Sequence, residues 1–254
     1  MPTLFVGHGS PMNAIEDNAF TRGWEAVAEK IPKPTAIVCV SAHWYTRGTK
    51  VTAMDQPKTI HDFGGFPREL YQVKYPAPGN PDLAKQTQTE LTRTDVCADL
   101  EWGLDHGSWS VLCKMYPEAN IPVIQLSIDD QKNPQGHYEI GQDLRKLREQ
   151  GVLIVGSGNI VHHLGLVDFE HPDAGFDWAQ DFDQFAKHAI ENRNDDRLIH
   201  FEKAGHGAEL AIPTPDHYLP LLYVLGASDA KEKVGFFNEA LCYGSLSMRG
   251  VIVG

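Results

Sequence analysis

The sequence predicts an α/β fold, and three observations carry the prediction. Short apolar runs of strand length alternate with stretches of helical character along the whole chain. Clusters of Gly and Pro punctuate the junctions between them. The 254 residues, 42% hydrophobic and 22% charged, are enough for one large, well-buried core. No repeat, low-complexity tract or long linker interrupts them, so residues 1–254 read as one domain.

The elements follow in order. Residues 3–6 form a short buried strand that ends in the turn Gly7-His8-Gly9-Ser10-Pro11. A helix over 21–30 is closed by Pro32 and Pro34. Residues 36–40 are a second buried strand, followed at once by Ser41-Ala42-His43-Trp44. The Pro- and Gly-rich stretch 57–80 reads as a long ordered loop, a feature that is often functional inside a compact domain. A helix over 81–94 has Pro in its first turn. Residues 102–109 are turn-rich and lead into a helix over 108–116. Then come a strand at 123–127, a helix over 135–150 ended by Gly151, and a strand at 152–155 running into Gly156-Ser157-Gly158-Asn159. A helix over 177–192, a loop over 203–216 and a helix near 217–225 follow, and the alternating stretch 241–253 suggests one or two edge strands.

Charge and cysteine usage narrow the function. With 22 basic and 34 acidic side chains the net charge is −12, which argues against nucleic acid or an anionic membrane as partner. No apolar run approaches the ~18 residues of a membrane span. The N-terminal residues lack a basic signal-peptide region. Cys39, Cys97, Cys113 and Cys242 show no two-residue metal spacing and read as buried thiols in a reducing compartment, the cytoplasm.

Histidine is the informative residue: there are 12. His8, His43 and the segment 159–163 each follow a separate apolar strand, and ligands in open α/β sheets bind beyond the carboxyl ends of strands. Each histidine alone reads as a turn or half-buried residue; together they favour ligands converging on one pocket. Gly7 and Gly9 leave the His8 imidazole uncrowded, as a metal ligand requires. His162 and His163 are adjacent and point in different directions, so one at most faces a pocket. His217 sits between Pro213, Pro215 and Pro220, which stiffen its segment. His106 is open to three roles: ligand, acid/base or turn residue. The loop carrying His61 and Phe63 has the aromatics and backbone freedom that suit a flat organic substrate. His137, His171, His188 and His200 are assigned to solvated surface, and His206 is left open. Neither Gly9-Ser10-Pro11 nor Gly156-Ser157-Gly158 fits a serine-hydrolase elbow, Gly-Ser-Gly lacks the lysine of a phosphate loop, and no His-Glu-x-x-His helix is present.

Six motifs occur in a fixed order: Gly7-His8-Gly9-Ser10-Pro11, Ser41-Ala42-His43-Trp44, His61-Asp62-Phe63-Gly64-Gly65-Phe66-Pro67, Asp105-His106-Gly107-Ser108-Trp109, Gly158-Asn159-Ile160-Val161-His162 and Pro215-Asp216-His217-Tyr218-Leu219-Pro220. With them, essentially the whole chain resembles the class III extradiol ring-cleavage dioxygenases of the LigB type, in their 4,5-DOPA dioxygenase branch. The resemblance implies a three-layer α/β/α domain with a mixed central sheet. It implies a mononuclear metal held by His8, His43 and His217, with His162 as a further ligand or as an acid/base. His106 would orient substrate and oxygen, and His61 and Phe63 would line the ring pocket. The implied reaction inserts O2 into a catechol such as L-DOPA to give a muconic semialdehyde, with Fe(II) for activity. Related enzymes use a glutamate as third ligand; here Glu209 and Asp216 are the available substitutes, and an all-histidine set also suits Zn²⁺. Two rivals share the scaffold: a zinc-dependent hydrolase and a non-catalytic binder of zinc or an aromatic acid.

Overall fold

The computed structural model describes residues 1–254, the side chain of His206 excepted. In chain order the elements are β1 (Thr3–Gly7), α1 (Ala19–Lys30), β2 (Ala36–Thr46), β3 (Thr49–Thr52), β4 (Lys58–Thr59), α2 (Pro81–Glu90), β5 (Val96–Asp99), β6 (Gly103–Leu104), α3 (His106–Met115), β7 (Val123–Asp129), α4 (Pro134–Arg148), β8 (Val152–Gly158), α5 (Asp177–Glu191), α6 (Asp195–Ile199), α7 (His206–Ala211), α8 (Leu219–Ala227), β9 (Val234–Phe237), β10 (Leu241–Cys242), β11 (Leu246–Ser247) and β12 (Gly250–Val253).

Eight strands form one mixed sheet in the order β5-β3-β7-β2-β8-β1-β12-β9. The central strands β7, β2, β8 and β1 run parallel; β12 adds antiparallel to β1, and β9 antiparallel to β12. Period-two alternation sorts the side chains of each strand between two cores. Leu4, Val6, Ile37, Cys39, Leu153 and Val155 pack with Trp24 and Val27 of α1 and Trp109 and Leu112 of α3. Phe5, Val38, Val40, Ile154, Ile124 and Leu126 pack against α2, α4, α5 and α8 on the opposite face. The result is the expected three-layer α/β/α arrangement. Helix α8 is buried along its whole length, so its sequence is apolar all round instead of striped.

Several expected boundaries move, each for a physical reason. β2 runs on to Thr46, so His43 lies on the strand and not in a turn after it. Its register against β7 shifts between Val40 and Tyr45, and its pairing with β8 ends at Ser41. His43 therefore stands where the strand leaves one neighbour, a place where an irregularity re-aims side chains. Helix α2 stops at Glu90, because the backbone N–H groups of Thr92 and Arg93 turn to the Asp143 carboxylate at 2.7 and 3.2 Å. The stretch 203–216 contains the short helix α7. The alternating C-terminal stretch supplies β12, second from the edge; the edge is β9, whose residues are all half-buried and carry no alternation. Of the cysteines, Cys39 and Cys242 are buried as expected, but Cys113 is half-buried and Cys97 is exposed on the edge strand β5.

His137 corrects the surface assignment most clearly. It is fully buried on the face of α4 that meets α8, with Nδ1 2.9 Å from the Tyr223 hydroxyl. Burial pushes its pKa down to about 4. The folded pKa thus lies below the unfolded value of about 6.5, so the neutral ring contributes stability that is complete above about pH 6.5 and is lost as pH falls toward 4. Urea unfolding of His137→Gln should show an acid limb flatter than the native protein's by up to about 3 kcal/mol across that interval. Equal pH slopes in the two proteins would refute the assignment, and the comparison cancels every other buried histidine.

Candidate metal centre and substrate pocket

Three parallel strand ends and one stiffened loop bring the site together. His8 follows the last residue of β1, and its backbone N–H is fixed by the Gly158 carbonyl at 3.0 Å. Gly158 ends β8, and the His217 carbonyl passes so close that a Cβ there would lie 2.1 Å from it. The Asn159 N–H then donates to that same carbonyl at 2.9 Å, tying the 217 loop to the end of β8. A side chain at 158 would push His217 away from His8, so glycine is required by close approach and not by its φ.

The nitrogens converge. The ligand atoms of His8, His43 and His217 all lie within 4.8 Å of one another. His8 Nε2 and His43 Nε2 are 3.1 Å apart. Two of the rings are hydrogen-bonded through their other nitrogen, and the third turns its other nitrogen toward a carboxylate. Ser157 Oγ donates its single proton to the Gly107 carbonyl, so it accepts from His8 Nδ1–H at 3.0 Å. His43 Nδ1 faces Asp62 Oδ2 at 3.6 Å, and His217 Nδ1 bonds the Asp216 carboxylate. Protons on all three Nδ1 atoms leave three Nε2 lone pairs pointing at a common space. Two imidazole lone pairs 3.1 Å apart repel unless a cation lies between them. This donor set fits a divalent metal, and a polar partner at each ligand's far nitrogen is how metal-binding histidines are oriented.

Electrostatics agree with that reading. Burial, followed by the neighbouring imidazoles, pushes the pKa of His8 well below the ordinary value, and burial with His106 and His217 does the same to His43. Both are neutral, as ligands must be. Burial alone would raise the carboxyls of Asp62 and Asp216. The His106 ring and backbone N–H outweigh it at Asp62, and His217 with Thr214 outweighs it at Asp216, so both are held ionised.

His106 and His162 lie beside this triad and outside it. His106 opens α3, lies against His43 with ring centroids 3.8 Å apart and planes tilted by 45°, and presents Nδ1 to Asp62 Oδ2 at 3.0 Å while its backbone N–H donates to Asp62 Oδ1 at 2.9 Å. The start of α3 is locked from behind: buried Asp105 caps it and takes hydrogen bonds from Ser41 Oγ and Gln125 Nε2 at 2.6 and 2.7 Å. His162 stacks in parallel on His217 at 3.5 Å, and no hydrogen bond to its ring occurs among the described residues. Burial, reinforced by His217, lowers its pKa to about 3. The neighbouring His163 turns away, with Nδ1 donating to the Leu210 carbonyl at 2.9 Å.

A cavity of about 450 Å³ opens directly onto the three Nε2 atoms, with His106, His162, Phe63 and Phe66 in its walls. Phe63 is thus placed in the lining, but His61 is not. His61 Nε2 donates to the Val73 carbonyl at 3.0 Å, and its ring packs on Trp109, so it braces the loop that its neighbour Asp62 uses to reach the site. Of the carboxylates considered as ligands, Asp216 anchors His217 from behind, and Glu209 is exposed on α7 and does not line the cavity. The side chain of His206 lies outside what the structure describes. Sequence reasoning missed Asp62, Ser157 and the wall residues Leu164, Val167, Phe169 and Tyr243. Asp62 had one usable signal, its place beside His61: adjacent residues in an extended loop point apart, so only one of the pair can enter a site.

No helix among the described residues is long and apolar enough to cross a membrane. Residues 2–251 match the family described as the catalytic LigB subunit of aromatic ring-opening dioxygenase. The chain is 48% identical to the 4,5-DOPA dioxygenase extradiol of Escherichia coli K12, over all of this chain and 95% of that protein. It is 39% identical to the 4,5-DOPA dioxygenase extradiol of Beta vulgaris, over 96% of this chain and 93% of that one. The crystal structure of an uncharacterized protein from Escherichia coli K12 superposes with a TM-score of 0.88 at 45% identity, covering the whole of both chains. The family match spans nearly the whole chain and the relatives cover it from end to end, so the chain belongs to the LigB family of aromatic ring-opening dioxygenases.

Proposed function

We propose that this dioxygenase cleaves the ring of a catechol such as L-DOPA between carbons 4 and 5, at a metal held by His8, His43 and His217. The convergence of three imidazoles on the floor of an aromatic-walled cavity carries the reading. Fe(II) is the metal that serves the reaction, since it can bind diol and O2 together and pass electron density between them; Zn²⁺ suits the same donors but has no redox chemistry. Both atoms of O2 enter the product as the carbon–carbon bond beside the diol opens to a muconic semialdehyde.

The chain's own residues supply position and protons. Phe63 and Phe66 flank the ring space and exclude water. His162 lines the cavity and no hydrogen bond to its ring occurs among the described residues, which leaves a ring nitrogen available to accept a hydroxyl proton as the diol binds and to return it as the ring opens. His106, braced by Asp62, faces the same space and would hold substrate and oxygen atoms in line. In this reading His162 is an acid/base and not a fourth ligand, because its ring lies flat against His217 and outside the three-nitrogen set. Residues 1–254 act as one catalytic domain, since strands from both ends share one sheet. Four free thiols support a reducing, cytoplasmic setting.

The test is anaerobic loading with Fe(II), then air and a panel of catechols that includes L-DOPA. One O2 should be consumed per catechol, with yellow product, and protein loaded with Zn²⁺ should consume none. Binding without oxygen uptake would favour the non-catalytic reading, and hydrolysis by the zinc form would favour the hydrolase.

A further inference from the structure

The cavity wall has an uneven chemistry. Beyond the imidazoles it is mainly apolar, with Phe63, Phe66, Leu164, Val167 and Phe169; Ser10 and Tyr243 add neutral hydroxyls, and among the described residues no lysine or arginine lines it. Its one carboxylate, Asp62, is already engaged by His106 and His43. Leu164 and Phe169 are 66% and 80% exposed, so the apolar wall continues outward to the mouth. Acidic side chains surround that mouth. Asp168 and Glu170 flank Phe169 in the chain, and Glu16 and Asp173 lie near enough to the lining residue Tyr243 to act on its phenol. Two cations are held nearby: Lys114 Nζ donates to the Glu16 backbone carbonyl at 2.8 Å and keeps its charge, and His171 Nδ1 pairs with Asp168 at 2.8 Å, so Glu16, Asp173 and Glu170 are the carboxylates left to act on an arm.

Given the ring-cleavage reading above, we infer that the pocket selects catechols by the charge of the side arm, taking neutral and ammonium-bearing arms over arms that end in a free carboxylate. The diol occupies the metal end, so the para arm must run along the apolar wall to the acidic mouth. An uncharged arm gains burial there. An ammonium gains attraction from the nearby carboxylates, whereas a carboxylate meets repulsion and finds no lysine or arginine in the lining to offset its desolvation. With an amino-acid arm, the amine is the group the protein recognises.

Three catechols with arms of matched length test this: 4-(2-aminoethyl)catechol, 4-ethylcatechol and 3-(3,4-dihydroxyphenyl)propionate. Their binding to Zn²⁺-loaded protein is measured by calorimetry under argon, where no turnover is needed, and kcat/KM is then read with the Fe(II) form in air. At low ionic strength the ammonium compound should bind about tenfold more tightly than the carboxylate, with the neutral compound between, and added salt should narrow the gap. Phe169→Arg, at an exposed position that tolerates the change, should raise carboxylate affinity about tenfold and weaken the ammonium compound. Carboxylate binding equal to or tighter than ammonium binding would overturn the inference, as would an unchanged order in the arginine variant. Loss of oxygen uptake with the binding order intact would instead count against ring cleavage alone.

Discussion

Replacing His43 with alanine should empty the metal site and abolish ring cleavage. The substitution removes one of three converging Nε2 donors, and the one 3.1 Å from His8 Nε2. Two imidazoles on a rigid frame hold a divalent ion poorly, so affinity should fall by more than the about 10- to 100-fold that losing an outer anchoring partner costs. His8→Ala should behave in the same way. Asp216→Asn keeps the His217 ring but weakens its anchor, and should sit between these variants and the native protein at about 10- to 100-fold weaker binding. Metal content after dialysis and calorimetric titration with Zn²⁺ measure all three. A His43→Ala protein that keeps full metal occupancy would remove the basis of the assignment. Folding should survive in each case, because none of these side chains belongs to the two hydrophobic cores that hold the sheet.

His106→Ala should give the opposite signature: a protein that holds its metal and does not turn over. His106 lies outside the three-histidine set, although its ligand atom also falls within 4.8 Å of those of His43 and Asp62, and its ring leans on His43 and opens onto the cavity. Positioned acid, base and orienting groups contribute about 10²- to 10⁴-fold to a rate, and a loss in that range is expected here. The measurement pairs oxygen uptake with metal content on the same sample. Were metal and activity lost in proportion, His106 would be a ligand; were activity retained, it would have no part in the reaction. Asp62→Asn offers a control, since it leaves the His106 ring in place while removing the carboxylate that orients it. It should cost less than the alanine variant.

The two variants separate what the histidines do, and that division could be read in the chain only in part. The positions of His8 and His43 were legible because strand-length apolar runs precede them, and a parallel sheet puts the carboxyl ends of its strands on one edge. His217 was legible as a stiffened histidine but not as a neighbour of His8, since 209 residues separate them and only the crossing of the 217 loop over Gly158 joins them. His61 was misread for a local reason. Its loop does serve the site, but the residue that enters is Asp62. His137 was misread because a helix with polar neighbours conceals which face is buried until its partner helix is known.

Local pattern therefore settled the α/β class and the strand ends that carry histidine, and the motif order marked the family, whose resemblance implied the layering. It could do so because period, turn chemistry and short-range stiffness are properties of neighbouring residues. Which nitrogen of each imidazole faces the metal, which carboxylate anchors which ring, and where the apolar wall lies were decided only by the folded chain. Those features depend on contacts between segments such as Ser157 with His8 and Gly107, or Asp62 with His106, which no local rule relates and which exist only once the sheet has brought its strand ends together.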